Sequence, residues 1–154
     1  MNNFLIISFY FPPFKRVGGR RWAKHTKFLW KLGLQPCVLA ADFNGETSPW
    51  DKDIELYKEN IYRIPIKIKY PYHKRVLPNN LFVKFYWKIS LICWILKIKK
   101  HKGNFLDDSL GYEALFMQKA VEIIQEKDIE HIIISVGPFH YAKIIPELKK
   151  GFLL

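Results

Sequence analysis

Two short stretches bring together residue types that could do chemistry. The first is Lys15, Arg16, Gly18, Gly19, Arg20 and Arg21. A glycine pair lets backbone N–H groups approach an anion closely, and the flanking cations would hold it there. The second runs from Ser135 through Gly137 to His140, where an imidazole could serve as general base toward a substrate hydroxyl. Both have plainer readings: a Gly-Gly pair also suits a tight turn, and a single loop histidine also serves as a surface or capping group. Neither GxGxxG nor a GxxxxGK loop followed by Ser or Thr occurs, which excludes a dinucleotide fingerprint and a P-loop. His25, His73, His101 and His131 show no metal-ligand spacing, and Asp107 with Asp108 reads as a solvated pair. No metal site, nucleophile elbow or catalytic triad is expected.

Both stretches follow apolar runs that read as buried parallel strands, 4–9 (FLIISF) and 131–136 (HIIISV). In an open parallel sheet, ligands bind outside the carboxyl ends of the strands. Residues 20–32 place Trp22, Ala23, Thr26, Leu29 and Trp30 on one side and Lys24, Lys27 and Lys31 on the other, an amphipathic helix closed by Gly33. A second strand is expected at 35–41, giving a βαβ unit with a right-handed crossover. The polar stretch 42–59 reads as a loop or short helix, and 61–68 with Pro65 as an edge strand. Residues 112–127 form a second amphipathic helix, with Leu115, Phe116, Ala120, Ile123 and Ile124 inward. Residues 141–150 form a last one, bent or shortened unless Pro146 falls in its first turn. The alternation predicts an α/β fold, a Rossmann-like and mainly parallel sheet flanked by helices.

The chain has 154 residues, enough for one domain with a real core. Its net charge of +11 is uneven, for no acid lies between residues 60 and 106. Such a field speaks of anionic partners: lipid, nucleic acid or phosphorylated ligands. Cys37 and Cys93 lie in apolar runs without CxxC spacing and read as reduced core thiols of a cytoplasmic protein. The opening of the chain lacks the features of a secretory signal. Residues 81–100 (LFVKFYWKISLICWILKIKK) are apolar nearly all round, with Lys84 and Lys88 one turn apart and Lys97 near the end. Three readings stand: packing against this or a partner domain, contact with a membrane surface through Lys84, Trp87, Lys88, Trp94 and Lys97, and a true span. Aromatics alternating with aliphatics there argue against a nucleic-acid platform.

Taken together, these motifs resemble the N-terminal half of family 4 glycosyltransferases of the GT-B fold. Residues 4–41, FLIISFYFPPFKRVGGRRWAKHTKFLWKLGLQPCVLAA, are similar to that group's opening strand, FPP loop, Gly-Gly, RRW-type helix, Leu-Gly and second strand. Residues 129–150, IEHIIISVGPFHYAKIIPELKK, are similar to its strand with an S-G-P-P-H-S-type loop and helix. The resemblance implies two Rossmann-like domains across a cleft, an N-terminal one for the acceptor and a C-terminal one for the nucleotide-sugar donor. It implies retaining, metal-independent transfer, with the nucleotide-sugar as co-substrate and no resident cofactor. Gly18 and Gly19 would then lie near the donor phosphates, Ser135, Gly137 and His140 would line the cleft from the neighbouring strand, and Arg20 and Arg21 would begin the flanking helix. The acceptor would be a polysaccharide or lipid-linked precursor of the cell envelope, met at the inner face of the plasma membrane. Phe139, Tyr141 and Pro146 depart from the pattern, which commonly has proline, a small residue and an unbroken helix there. Residues 1–154 thus read as a single acceptor-side domain without the donor domain and its paired glutamates. A half-site is expected to bind but not to transfer sugar alone, and a separately encoded donor domain becomes an expected partner. The alternative is a non-catalytic basic module that binds an anionic membrane surface or, less readily, nucleic acid.

Overall fold

The computed structural model describes residues 3–43, 50–66, 80–100, 109–137 and 140–152. Strand β1 (Asn3–Ser8), helix α1 (Val17–Lys31) and strand β2 (Gln35–Asp42) form the expected βαβ unit. Two short 3-10 helices, Asp51–Asp53 and Glu55–Asn60, lead into strand β3 (Ile61–Pro65). Helices α2 (Leu81–Lys100) and α3 (Glu113–Lys127), strand β4 (His131–Ser135), a 3-10 turn at His140–Lys143 and helix α4 (Ile144–Phe152) complete the order. The fold is α/β and Rossmann-like: the four strands are all parallel, in the order β3-β2-β1-β4. Pro65 ends β3 at one margin of the sheet, where a missing N–H breaks no ladder.

Side chains alternate across the central strands, as the pleat requires. Leu5, Ile7, Cys37, Leu39, Ala41 and Ile64 pack on Phe116, Ala120 and Ile123 of α3 and on Ile144 and Leu148 of α4. Ile6, Val38 and Ala40 meet Ala23 of α1, with Ile54 and Tyr57 of the 3-10 segment. Trp22, Leu29 and Trp30 pack half-buried against this second cluster, the face that the helical spacing selects. Leu115, by contrast, is 48% exposed, because α3 is rolled so that Phe116 and Ala120 carry its contact with the sheet. Gly33 closes α1 with a φ of +80°, and Leu34 N–H reaches back to the Leu29 carbonyl at 3.2 Å. Pro146 falls in the first turn of α4, where it removes no helical hydrogen bond.

The 3-10 segment pins α1 from outside. The Tyr57 hydroxyl donates to the Ala23 carbonyl at 2.7 Å, and burial pushes the phenol well above its ordinary pKa. Lys27 Nζ donates to Asp53 at 2.8 Å, and this bond holds the carboxyl below its ordinary value of 3.8. Asp53 is therefore protonated at higher pH in the unfolded chain than in the folded one. Its contribution is present above the unfolded value and lost as pH falls through the folded one. Asp53→Asn is expected to flatten the acid limb of a stability–pH profile below about pH 4, read by urea unfolding at several pH values. An unchanged acid limb would show that the pair contributes nothing there.

The two cysteines part company. Cys37 is buried in the first core, where burial raises its thiol pKa, whereas Cys93 is exposed on α2. Cys93 is therefore not the core residue that its apolar neighbours suggest, because α2 turns that face to solvent.

Candidate functional site at the sheet edge between β1 and β4

The chain runs from β1 outward to β2 and β3 and then returns to the other side of β1 as β4. The strand order therefore reverses between β1 and β4, and this is where open parallel sheets form a ligand crevice beyond their carboxyl ends. Ser8 and Ser135 are register partners at those ends, so the loops following the two strands leave side by side. Both stretches singled out for chemistry belong to these loops or to the helix that follows the first.

The β1 loop is fixed by aromatic packing. Tyr10 stacks on Phe14 at 5.1 Å and Phe14 on Phe43 at 3.9 Å, while the Arg16 guanidinium lies 4.4 Å over the Tyr10 ring. The Ser8 hydroxyl donates to the Tyr10 carbonyl at 2.9 Å. From β3, Arg63 Nη2 donates to the Pro12 carbonyl and ties the loop down from beneath. Burial draws the Arg63 pKa down, and the nearby Asp42 and Asp51 charges oppose that shift. Arg63 also lines a surface pocket of about 280 Å³ with Pro13, Asp51, Ile54, Lys58 and Ile61. A larger pocket, about 510 Å³, lies between α3 and α4. Neither opens between β1 and β4.

Gly18 and Gly19 do not form a loop. Helix α1 starts at Val17, three residues earlier than its apolar spacing shows, and the glycines occupy its first turn. Their roles differ. A Cβ on Gly19 would stand 3.1 Å from the Tyr10 carbonyl oxygen and 3.2 Å from the Phe11 backbone, so the helix end rests directly on the chain leaving β1. A Cβ on Gly18 would meet nothing within 4 Å. No acid of the helix itself sits in the first turn and no side chain caps it, so the positive helix end adds to the charge of Lys15, Arg20 and Arg21. Arg21 is exposed, and the Arg20 guanidinium lies 5.5 Å over the Trp50 ring.

On the β4 side the Ser135 carbonyl accepts two bonds, from the Gly137 N–H at 3.1 Å and from the Tyr141 hydroxyl. Tyr141 is fully buried, with its hydroxyl 3.4 Å from the Ile7 carbonyl, so it bridges the ends of both strands. Its N–H donates to the buried Ser109 Oγ at 3.1 Å, and its ring packs against Phe9 and Phe116. Tyr141 thus lies beneath the sheet edge where the β1 and β4 loops leave. Gly137 has open space around its Cβ position, so sterics alone do not demand glycine there. His140 opens the 3-10 turn that follows, which puts its backbone at the same sheet edge; the placement of its imidazole, like Pro138 and Phe139, lies outside the described residues. Among the described residues no group of three His, Cys, Asp or Glu side chains could hold a metal ion.

On α2, Lys84 and Trp87 are half-buried and Lys88 is exposed, while the side chains of Trp94 and Lys97 lie outside the described residues. No helix among the described residues is long and apolar enough to cross a membrane.

Sequence reasoning passed over Arg63 and the structural weight of Tyr141. A basic residue inside an otherwise apolar strand was the available signal for the first. For the second it was an aromatic residue directly after a glycine-proline loop.

Comparison with protein families, with curated proteins and with solved structures gives no significant match to this chain.

Proposed function

We propose that this chain is the acceptor-side domain of a GT-B-type glycosyltransferase, acting with a nucleotide-sugar on a polysaccharide or lipid-linked acceptor at the cytoplasmic side of a membrane. One observation carries the reading. The two motifs that resemble family 4 glycosyltransferases, separated by 87 residues of sequence, lie side by side where the strand order reverses.

The chemistry follows from what each group can do there. The positive end of α1, with Arg20 and Arg21, draws a phosphate or diphosphate toward the sheet edge. Gly19 keeps that helix end close to the β1 loop, so the N–H groups and the loop backbone face one ligand together. Ser135 and Gly137 form the opposite lip, and His140 on the same loop would hold or accept the proton of the acceptor hydroxyl. Both substrates must be held in reactive geometry for transfer, so a donor-binding domain is required across the crevice.

The test is a titration of the ¹⁵N-labelled chain with UDP-sugars and with a short-chain prenyl-diphosphate sugar. Shifts are expected to concentrate at residues 9–21 and 135–141. Saturable binding of either probe that leaves both segments unmoved, or no binding of any probe, would remove the proposal.

A further inference from the structure

Helix α2 presents two unlike faces. Lys84, Trp87, Leu91 and Ile95 recur every three or four residues and are half-buried. On the opposite side Phe82, Phe85, Tyr86, Ile89, Ile92 and Leu96 recur at the same spacing and are 45–86% exposed. Four turns of the helix therefore offer solvent a continuous apolar and aromatic stripe, an unusual surface for a soluble chain to leave uncovered.

The charge carried by the helix selects the occupant of the stripe. Helix α2 carries Lys84, Lys88, Lys97, Lys99 and Lys100, and no acid lies between residues 60 and 106. A second copy of this helix would bring lysine toward lysine with no carboxylate to offset it, whereas paired helices choose partners through opposite charges flanking the seam. An anionic headgroup layer supplies what is missing: negative charge for the lysines and an acyl boundary for the aromatic stripe. We propose that α2 lies along the surface of an anionic lipid bilayer, with Phe82, Phe85, Tyr86, Ile89, Ile92 and Leu96 at the headgroup–acyl boundary. The helix is not apolar enough to cross a bilayer, so it engages the surface along its length. The contact stands whether or not the crevice transfers sugar.

The test uses the purified full chain and vesicles, with no sugar nucleotide present, so its result is separate from that of the titration above. Co-sedimentation is measured with phosphatidylcholine vesicles and with vesicles containing about 30% phosphatidylglycerol. Partition is expected on the anionic vesicles only, falling about ten-fold or more when salt is raised from about 0.05 to about 0.5 M. Phe85→Ser combined with Ile92→Ser, on the exposed side and so compatible with folding, is expected to lower partition about ten-fold with an unchanged circular dichroism spectrum. Lys149→Glu combined with Lys150→Glu, on exposed positions of α4, changes the total charge strongly and is expected to retain most binding. The proposal fails if the unmodified chain ignores anionic vesicles, or if the α2 variant binds as the parent does. It fails equally if the α4 variant loses as much as the α2 variant, because binding would then follow total charge. A dimer in solution that the α2 variant dissociates would also overturn it, since the stripe would then meet a second copy.

Discussion

Replacing Tyr141 with alanine is expected to lower the stability of the fold by about 3–5 kcal/mol, the range for removing a fully buried aromatic side chain. The ring lies between the fully buried Phe9 of the β1 loop and Phe116 of α3, so its removal leaves a cavity within a closely packed cluster. Its hydroxyl donates to Ser135 at the end of β4 and sits beside the Ile7 carbonyl of β1, so it joins the strands that flank the crevice. Tyr141→Phe keeps the packing and removes only the donor, and is expected to cost about 1–2 kcal/mol. Urea unfolding of both variants measures this, and the ordering matters as much as the size. A phenylalanine variant as damaged as the alanine one would show that the hydroxyl, not the ring, holds the two strands. An alanine variant within about 1 kcal/mol of the parent would refute the packing argument altogether.

The glycine pair provides the second contrast, two adjacent substitutions of opposite sign. Gly19→Ala puts a methyl group 3.1–3.2 Å from backbone atoms of Tyr10 and Phe11. Backbone cannot swing aside as a side-chain tip can, so a loss of about 1–3 kcal/mol is expected, greater for Gly19→Val. Gly18→Ala meets open space in the first turn of a helix and is expected to gain up to about 0.5–1 kcal/mol, since alanine has less conformational freedom to lose on folding. Thermal unfolding separates the two. In the functional reading Gly19→Ala also weakens binding at the crevice, because it lifts the helix end from the loop, whereas Gly18→Ala leaves binding intact. Equal effects at the two positions would mean that close approach at Gly19 plays no part.

Much of the architecture was legible because strong, short signals repeat. The apolar runs around Leu5, Leu39 and Ile133 have no polar face, which in an α/β chain means strands covered on both sides. Gly33 and Pro65 marked their elements through backbone conformation and a missing donor, and both act as their chemistry dictates. The start of α1 was not legible. Val17, Gly18 and Gly19 carry neither a capping side chain nor helical periodicity, and the helix extends back through them because Gly19 can touch the β1 loop. Nor could composition reveal which side of α2 faces water, since apolar residues occupy nearly every position; only placement separates Trp87 from Phe85. The role of Tyr141 depends on a hydrogen bond to Ser135 and on a ring from α3. Neither is written in its local sequence.

The position of β1 has a consequence for the time course of folding. One of its neighbours, β2, follows within about thirty residues, but Phe4 finds its other partner at His131, near the far end of the chain. Contacts so distant in sequence form late, because a long loop must close before any pairing offsets its entropy. During synthesis, β1, α1 and β2 can therefore assemble while one side of the first strand waits unpaired for β4 to emerge. The crevice is completed only when that strand arrives and the tyrosine behind it is driven home, which makes this edge the last part of the sheet to be born.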